Sequence, residues 1–169
     1  HGSLAMHVAH LGVAVFIVGV AMSHGTGLER EAALAVGGRA SLGNHGFEIV
    51  SVEEVRGPNY RATRALVDVT HDGRRQARLA PEKRYYDSSR MPMTEAGIDV
   101  SVTRDIYVAF GDRGPDGVWV FRLQIKPFVR WIWAGCLLMA LGGMLVLLQR
   151  RYRSLARRDR ELRVLAGQR

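Results

Sequence analysis

The chain has 169 residues, 47% of them hydrophobic, and its 24 Lys and Arg against 16 Asp and Glu give a net charge of +8. A single cysteine, Cys136, excludes a disulfide framework, a CxxC redox pair, a zinc ribbon and a covalent CxxCH haem site. No Gly-rich phosphate loop, GxSxG or HExxH motif is present, so the sequence does not predict a self-contained soluble enzyme.

The first predicted element is a transmembrane helix over residues 4–23. Residues 4–22 carry no formal charge apart from that of His7 and His10, and about 20 apolar residues are needed to cross a bilayer. A signal peptide would need a basic start, an apolar core of roughly 7 to 15 residues and an A-x-A-like exit. The basic start and the exit are both missing, so a membrane span is favoured.

The second predicted transmembrane helix covers residues 128–149. Pro127 precedes it, Trp131 and Trp133 suit an interfacial aromatic belt, and Arg130 can extend back to the headgroups. The uncharged run then continues for a length that again fits one crossing.

A basic tail follows directly, with eight arginines in residues 150–169. Arginine clusters also bind nucleic acid, but this one adjoins a span without a linker, which favours an anchor in contact with anionic lipid and no nucleic-acid partner. By the positive-inside rule the tail is cytoplasmic. We therefore expect a multi-pass protein of the bacterial inner membrane, with both termini cytoplasmic and residues 24–127 in the periplasm.

Glycines recur at a spacing of seven in both spans, at Gly12 and Gly19 and at Gly135 and Gly142. Each pair lies on one helical face that another helix can approach closely. So many smooth faces favour packing within a larger helical assembly.

Residues 24–127 form the predicted β domain. Residues 45–56 and 60–71 are rich in β-branched and aromatic residues, and Asp72-Gly73 is a typical hairpin turn. Residues 98–110 and 118–125 alternate apolar and polar side chains, the former at Ile98, Val100 and Val102 and the latter at Trp119, Phe121, Leu123 and Ile125. We expect five to seven strands, mostly antiparallel, in a small sandwich or barrel flanked by the two transmembrane helices.

Residues 81–97 are predicted to form a polar, basic and aromatic loop. Arg84, Tyr85, Tyr86 and Arg90 offer charge and ring faces to an acidic or propionate-bearing partner. The alternative is a solvated loop whose tyrosine rings cap the sheet, which composition alone favours.

Two methionines follow in the same segment, Met91 and Met93. Their sulfur atoms are possible iron ligands. Packing in the core is the favoured alternative.

His10 is a functional candidate because an imidazole inside a span is costly. Haem ligation, a proton relay and a helix-helix hydrogen bond all remain open for it. His7 projects from the same face of the helix, so the two rings cannot bind one haem from opposite sides. A second haem ligand would have to come from another helix.

The order of several sequence blocks is more specific than any one of them. Along the chain stand AHLGVAVFIVGV, PEKRYY, RMPMTEAGID, RDIYVAFG, KPFVRWIW and RRYR. From about residue 4 to residue 153 the chain resembles the C-terminal quarter of CcmF, the large membrane subunit of the cytochrome c haem lyase. MPMTEA and KPFVRWIW carry most of this resemblance.

The resemblance implies a function in cytochrome c maturation. The family receives haem from the haem chaperone CcmE and, with CcmH-type thiol partners, attaches it to apocytochrome c in the periplasm. It also holds a separate, non-covalent haem b in the membrane between two histidines on different helices, with quinol as its reductant. The second of those histidines matches His10, which makes His10 an axial ligand of the haem iron.

Other parts of the family pattern are missing. The Trp-rich WWD loop, its two flanking periplasmic histidines and the other membrane ligand are absent, and His24 and His45 match none of them. We assign these two histidines to surface or junction positions. The chain is then a fragment, or a split subunit that works with the remaining N-terminal part of the lyase and is not catalytic alone. A membrane-anchored periplasmic binding or scaffold domain without haem is the alternative.

Overall fold

The computed structural model describes residues 2–88 and 91–166. The chain divides into two compact units. One contains two long helices, and the other, Met22–Val129, is built mainly of β-strands. The expected order of two apolar helices flanking a β domain is confirmed.

Helix α1 covers Gly2–Thr26 and helix α2 covers Val129–Ala166. Leu4–Thr26 and Val129–Leu148 are long and apolar enough to cross a membrane, each with a mean hydropathy of 2.1. The backbone of α2 continues as a helix beyond this apolar part into the Arg-rich tail.

The glycines spaced seven apart in each helix, Gly12 and Gly19 of α1 and Gly135 and Gly142 of α2, lie in one interface between the two helices. A methyl group added at Gly12 would lie 2.6 Å from the main-chain nitrogen of Met139, and one added at Gly142 would lie 2.7 Å from that of Ala9. Gly19 and Gly135 have equally close neighbours on the opposite helix. The glycine face of each helix therefore packs against the glycine face of the other helix. This mutual contact does not require the larger helical assembly that the number of glycines suggested.

In the described residues the β domain contains ten strands in two sheets, and every strand pair is antiparallel. One sheet has the order β1-β10-β9-β8, and the other has the order β2-β3-β4-β6-β7, with β5 also paired to β4. A short 3₁₀-helix, Pro115–Gly117, precedes the last strand. The strands are β1 Leu28–Leu34, β2 Arg39–Leu42, β3 His45–Arg56, β4 Tyr60–His71, β5 Arg74–Leu79, β6 Glu82–Tyr86, β7 Met93–Glu95, β8 Gly97–Val100, β9 Arg104–Arg113 and β10 Trp119–Pro127.

The hydrophobic core lies between the two sheets, which makes the domain a sandwich and not a barrel. The alternation expected on β10 is confirmed, because Phe121 and Leu123 are fully buried. The Asp72-Gly73 turn between β4 and β5 is also confirmed, with φ of 48° and 77° at its two central residues. Phe47, Ile49, Val67, Val69, Ile106, Val108 and Phe110 complete the centre of the core.

The expectation of five to seven strands is wrong because short edge strands lack a clear alternating pattern. The polar β1 and β2 were not expected, and the predicted loop 81–97 contains β6 and β7. Since one side of such strands faces solvent and main-chain pairing holds them in place, composition identifies them poorly.

The segment 98–110 is two strands where alternation suggested a single one. The chain reverses between β8 and β9, where the Ser101 nitrogen donates to the Arg104 oxygen at 3.0 Å. Ile98 and Val100 are each 48% exposed because β8 is an edge strand. Val102 lies in the reversal itself and is 72% exposed.

Met91 and Met93 are also exposed, so their predicted core packing is wrong. Both follow the turn after β6, outside the space between the sheets.

Candidate functional site

His10 is exposed on α1, and one hydrogen bond identifies its tautomer. Its Nδ1 lies 2.8 Å from the main-chain oxygen of Met6, one turn earlier. Because a carbonyl oxygen only accepts, Nδ1 carries the proton and Nε2 keeps its lone pair. A histidine with one nitrogen held in this way and the other free is suited to bind a metal ion.

The exposure of His10 bears on the alternatives that its sequence position left open. Within the part of the chain that the structure describes, His10 has no hydrogen bond to α2. His7 is exposed as well. Among the described residues, His10 therefore does not supply a hydrogen bond between the two helices, and the exposed rings of His10 and His7 are accessible to groups outside the helix pair.

Arg84, the first predicted docking residue, is held by neighbours within the β domain. Its Nε donates to Glu82 Oε2 at 2.8 Å and its Nη1 donates to Glu95 Oε1 at 3.3 Å. The guanidinium also lies 4.8 Å from the centre of the Tyr60 ring. The hydrogen bond to Glu82 raises the pKa of Arg84 further above its ordinary value, so it is a permanent cation with an internal partner.

Tyr86 lies on the same side of β6 as Arg84, whereas Tyr85 lies on the other side. The Tyr86 ring packs against that of Tyr60, with 5.4 Å between centroids. Successive side chains of a strand point to opposite faces, so the run Arg84-Tyr85-Tyr86 cannot present a single surface. Arg90, the fourth predicted docking residue, lies outside the described residues.

Tyr85 borders an open cleft of about 430 Å³ at one end of the second sheet. The side chain of Tyr85 is 44% exposed, and the cleft is also lined by Glu54, Arg56 and Arg61. Arg56 and Arg61 come from the tip of the β3-β4 hairpin, and neither was identified from the sequence. Their positions either side of a Gly-Pro-Asn turn next to the aromatic segment were the signal available.

Two histidines outside the helix pair are placed differently from one another. His24 is exposed at the end of α1, so its predicted junction position is confirmed. His45 is only 6% exposed, and its ring stacks on that of His71, so a surface position for His45 is wrong. His45 is the first residue of the predicted strand 45–56, and His71 is the last residue of the predicted strand 60–71. Because the two strands are equally long, a hairpin places these two residues opposite each other.

The described residues include no group of three or more His, Cys, Asp or Glu side chains arranged to hold a metal ion. A metal-containing group at His10 would therefore need its remaining ligands from outside these residues.

Comparison with known proteins gives a consistent result. Residues 25–127 match the family model described as the CcmF C-terminal beta-sandwich. The chain is 48% identical over 148 residues to the cytochrome c-type biogenesis protein CcmF of Escherichia coli (strain K12), covering 88% of this chain and 23% of that protein. For CcmF of Pseudomonas aeruginosa the identity is 44% over 164 residues, covering 96% and 25%.

A solved structure, the cytochrome c heme lyase CcmF, has the same fold, with a TM-score of 0.72 at 23% identity. The match covers 85% of this chain and 24% of that one. The chain thus spans about a quarter of the length of the curated relatives that it matches. The resemblance found in the sequence blocks is confirmed, and the chain belongs to the CcmF family of cytochrome c-type biogenesis proteins.

Proposed function

We propose that this chain contributes one axial ligand, His10, to a non-covalent haem b in the membrane part of a CcmF-type haem lyase. The observation that carries the proposal is the hydrogen bond from His10 Nδ1 to Met6, which leaves Nε2 as the coordinating atom. Imidazole nitrogen is an ordinary axial ligand of haem iron. The second ligand comes from another segment or another chain.

When bound, a bis-histidine haem supplies one-electron transfer, and quinol is the proposed reductant. The part played by this chain is to hold the His10 ring. The main-chain oxygen of Met6 fixes the orientation of the ring by its hydrogen bond. Because Met6 and His10 belong to one helical turn, the ligand is oriented without help from α2.

We further propose that the Tyr85 cleft is a docking surface for the haem chaperone CcmE, a CcmH-type partner or apocytochrome c. Support comes from the exposed ring of Tyr85 beside the two exposed arginines Arg56 and Arg61. Aromatic and arginine side chains are enriched at protein interfaces, and arginine binds carboxylates well. Arg84 and Tyr86 act from the opposite face of β6 by stabilising it.

The proposed location is the bacterial inner membrane, with the β domain in the periplasm and both ends of the chain in the cytoplasm. The Arg-rich end of α2 supports this orientation through the positive-inside rule.

Spectroscopy of the complete lyase complex tests the haem proposal. We expect His10→Ala to remove or strongly reduce the b-type absorbance of the dithionite-reduced complex, because one axial ligand is lost. His7→Ala is the matched control, since His7 is exposed on the same helix, and it should retain the spectrum. Unchanged absorbance in His10→Ala would contradict the ligand assignment and favour a scaffold domain without haem.

Site-directed cross-linking tests the docking proposal. A photo-reactive amino acid at Tyr85 in the complete complex should trap CcmE, a CcmH-type protein or apocytochrome c. The same group at Val36, which is 58% exposed on the turn between β1 and β2, is the control. Equal capture at both positions, or no capture of these three partners at Tyr85, would contradict the docking surface.

A further inference from the structure

His45, which is 6% exposed, and His71, whose side chain is 42% exposed, form a stacked pair at one end of the sandwich. They lie directly opposite each other on β3 and β4, and their ring centroids are 4.5 Å apart with 27° between the planes. The same end of the domain contains the start of β9 and the end of β10, where Arg104 pairs with Pro127. The chain enters α2 directly after this point.

Most of the ring nitrogen atoms of this pair lack a hydrogen-bond partner among the described residues. Both ring nitrogens of His45 and the Nδ1 of His71 are buried without a hydrogen-bond partner in the described part of the protein, and so is Nη1 of Arg104. The other donor of Arg104, Nη2, binds Gln76 Oε1 at 2.7 Å. Arg104 forms no ion pair with any described residue, so a cation without a carboxylate partner lies beside two imidazoles.

Arg104 belongs to the first sheet, whereas the histidines belong to the second, so the cluster joins the two sheets. Gln76 on β5 extends the link, because it accepts from Arg104 and donates to Asp99 on β8. We name His45, His71 and Arg104 the histidine cluster. Packing of the histidine cluster holds the two sheets together at this end of the sandwich.

Charged groups on the elements packed around His45 act on its pKa. Burial lowers its pKa, Arg104 and His71 lower it further, and Asp72 and Asp99 act in the opposite direction. Asp99 already accepts from Gln76, and Asp72, 3.4 Å from His71 Nε2, has a side chain that is 70% exposed. The positive neighbours and the burial outweigh these two carboxylates.

We propose that the histidine cluster is a pH-sensitive latch, which holds this end of the β domain closed while His45 is neutral and opens it when His45 becomes protonated. Protonation would place a buried imidazolium in ring contact with His71 and beside Arg104, with no acceptor for its two ring nitrogens among the described residues. The open form exposes the His45 ring to water and accommodates the charge.

The direction of the pH dependence follows from linkage. Because the closed form has the lower pKa at His45, the open form binds more protons once the pH falls below about 6.5, the ordinary value for histidine. Closure is therefore fully favoured above that pH and is lost as the pH falls. Release of His45 to the ordinary histidine pKa raises the opening constant by up to about tenfold between pH 7.5 and pH 5.5.

The latch acts at a part of the domain that is continuous with the helices. β1 begins just after α1 ends, and β10 ends just before α2 begins. Opening would loosen the strand ends that connect to both membrane segments. This inference concerns the β domain alone and does not depend on His10 or on haem.

Hydrogen-deuterium exchange of the full chain in detergent micelles tests the proposal. Rates at pH 7.5 and 5.5, corrected for intrinsic exchange, are compared for peptides covering 42–47, 68–76 and 98–106. We expect faster opening of these peptides at pH 5.5, by up to about tenfold. Peptides covering 60–65 and 82–87, at the other end of the sheet, should not change.

Variants separate the latch from a general effect of acid. His45→Phe keeps a stacked ring that cannot be protonated, so it should retain protection at pH 5.5, whereas His24→Gln should respond like the unmodified chain. If His45→Phe lacks the β-sheet circular dichroism of the unmodified chain at pH 7.5, His45→Gln replaces it, and it too should retain protection at pH 5.5. Equal loss of protection with and without the histidine, or unchanged protection of the unmodified chain at pH 5.5, would overturn the proposal.

Discussion

Glu82 is a carboxylate only 5% exposed, and two arginines balance its charge. Arg64 Nε donates to Oε1 at 2.6 Å, and Arg84 Nε donates to Oε2 at 2.8 Å. Burial alone would raise the pKa of Glu82, but these hydrogen bonds outweigh burial and lower it. The carboxylate therefore contributes stability above its ordinary pKa of about 4.5, and this contribution is lost as the pH falls below that value.

At pH 7 we expect Glu82→Gln to lower the free energy of unfolding of the β domain by about 2 kcal/mol, because both arginines lose their charged acceptor. Since the arginines are partly exposed, water screens part of the loss. Urea denaturation followed by circular dichroism measures the change, and the difference from the unmodified chain should shrink below about pH 4.5.

Glu48→Gln is the matched control for this prediction. Glu48 pairs with the exposed Arg39 at the surface of the same sheet, and such pairs contribute little. A loss as large as that of Glu82→Gln would mean that burial of the carboxylate is not the cause.

Single residues also show where sequence patterns fail. The absence of formal charge around His10 made it recognisable from the sequence. The burial of His45 was not recognisable, because it arises from the packing of residues distant in sequence, among them His71 on the neighbouring strand.

Among whole elements, the contact between α1 and α2 depends on close backbone approach at glycines. Apolar side chains on membrane helices gain little by leaving lipid, so van der Waals packing at small residues supplies much of the attraction. The spacing of seven identified each face from the sequence. Which helix each face contacts was decided by the tertiary structure.

Two adjacent glycines of α2 test this interface. Gly142→Ala should destabilise the helix pair by about 1 to 3 kcal/mol, because the added methyl group would lie 2.7 Å from the Ala9 nitrogen. Gly143→Ala should be tolerated, since a methyl group there meets no other atom within 4 Å and alanine favours helix. Thermal denaturation in detergent, followed by the helical circular dichroism signal, measures both. Equal effects would contradict the close contact.

The element β6 shows why a docking loop was expected where a strand exists. Charged and aromatic residues dominate its sequence, yet Arg61 pairs with Tyr85 and Arg64 with Glu82 along the main chain. The polar side chains of β6 form ion pairs and ring contacts with neighbouring residues. Strand formation thus depends on β4 as a neighbour, which local composition does not reveal.

At the scale of the whole molecule, the proposed orientation of the chain in the membrane can be tested. Cysteines at Ser88, an exposed turn residue, and at Arg151, an exposed residue of α2, test the orientation in a Cys136→Ser background. In intact cells with a permeabilised outer membrane, an impermeant maleimide should label the Ser88 variant only. The Arg151 variant should react after lysis. The reverse pattern would contradict a periplasmic β domain.

The sequence by itself determined the two apolar helices, the strands β3, β4 and β10, the Asp72-Gly73 turn and the family. Each depends on local properties: a run without charge, an alternation of side chains, two turn residues or an ordered set of short blocks. The tertiary structure alone decided the number of strands, the mutual contact of the glycine faces, the separation of Tyr85 from Arg84 and the burial of His45. These features arise from contacts between residues far apart in the chain, and packing and the exclusion of water select among the pairings that local patterns allow.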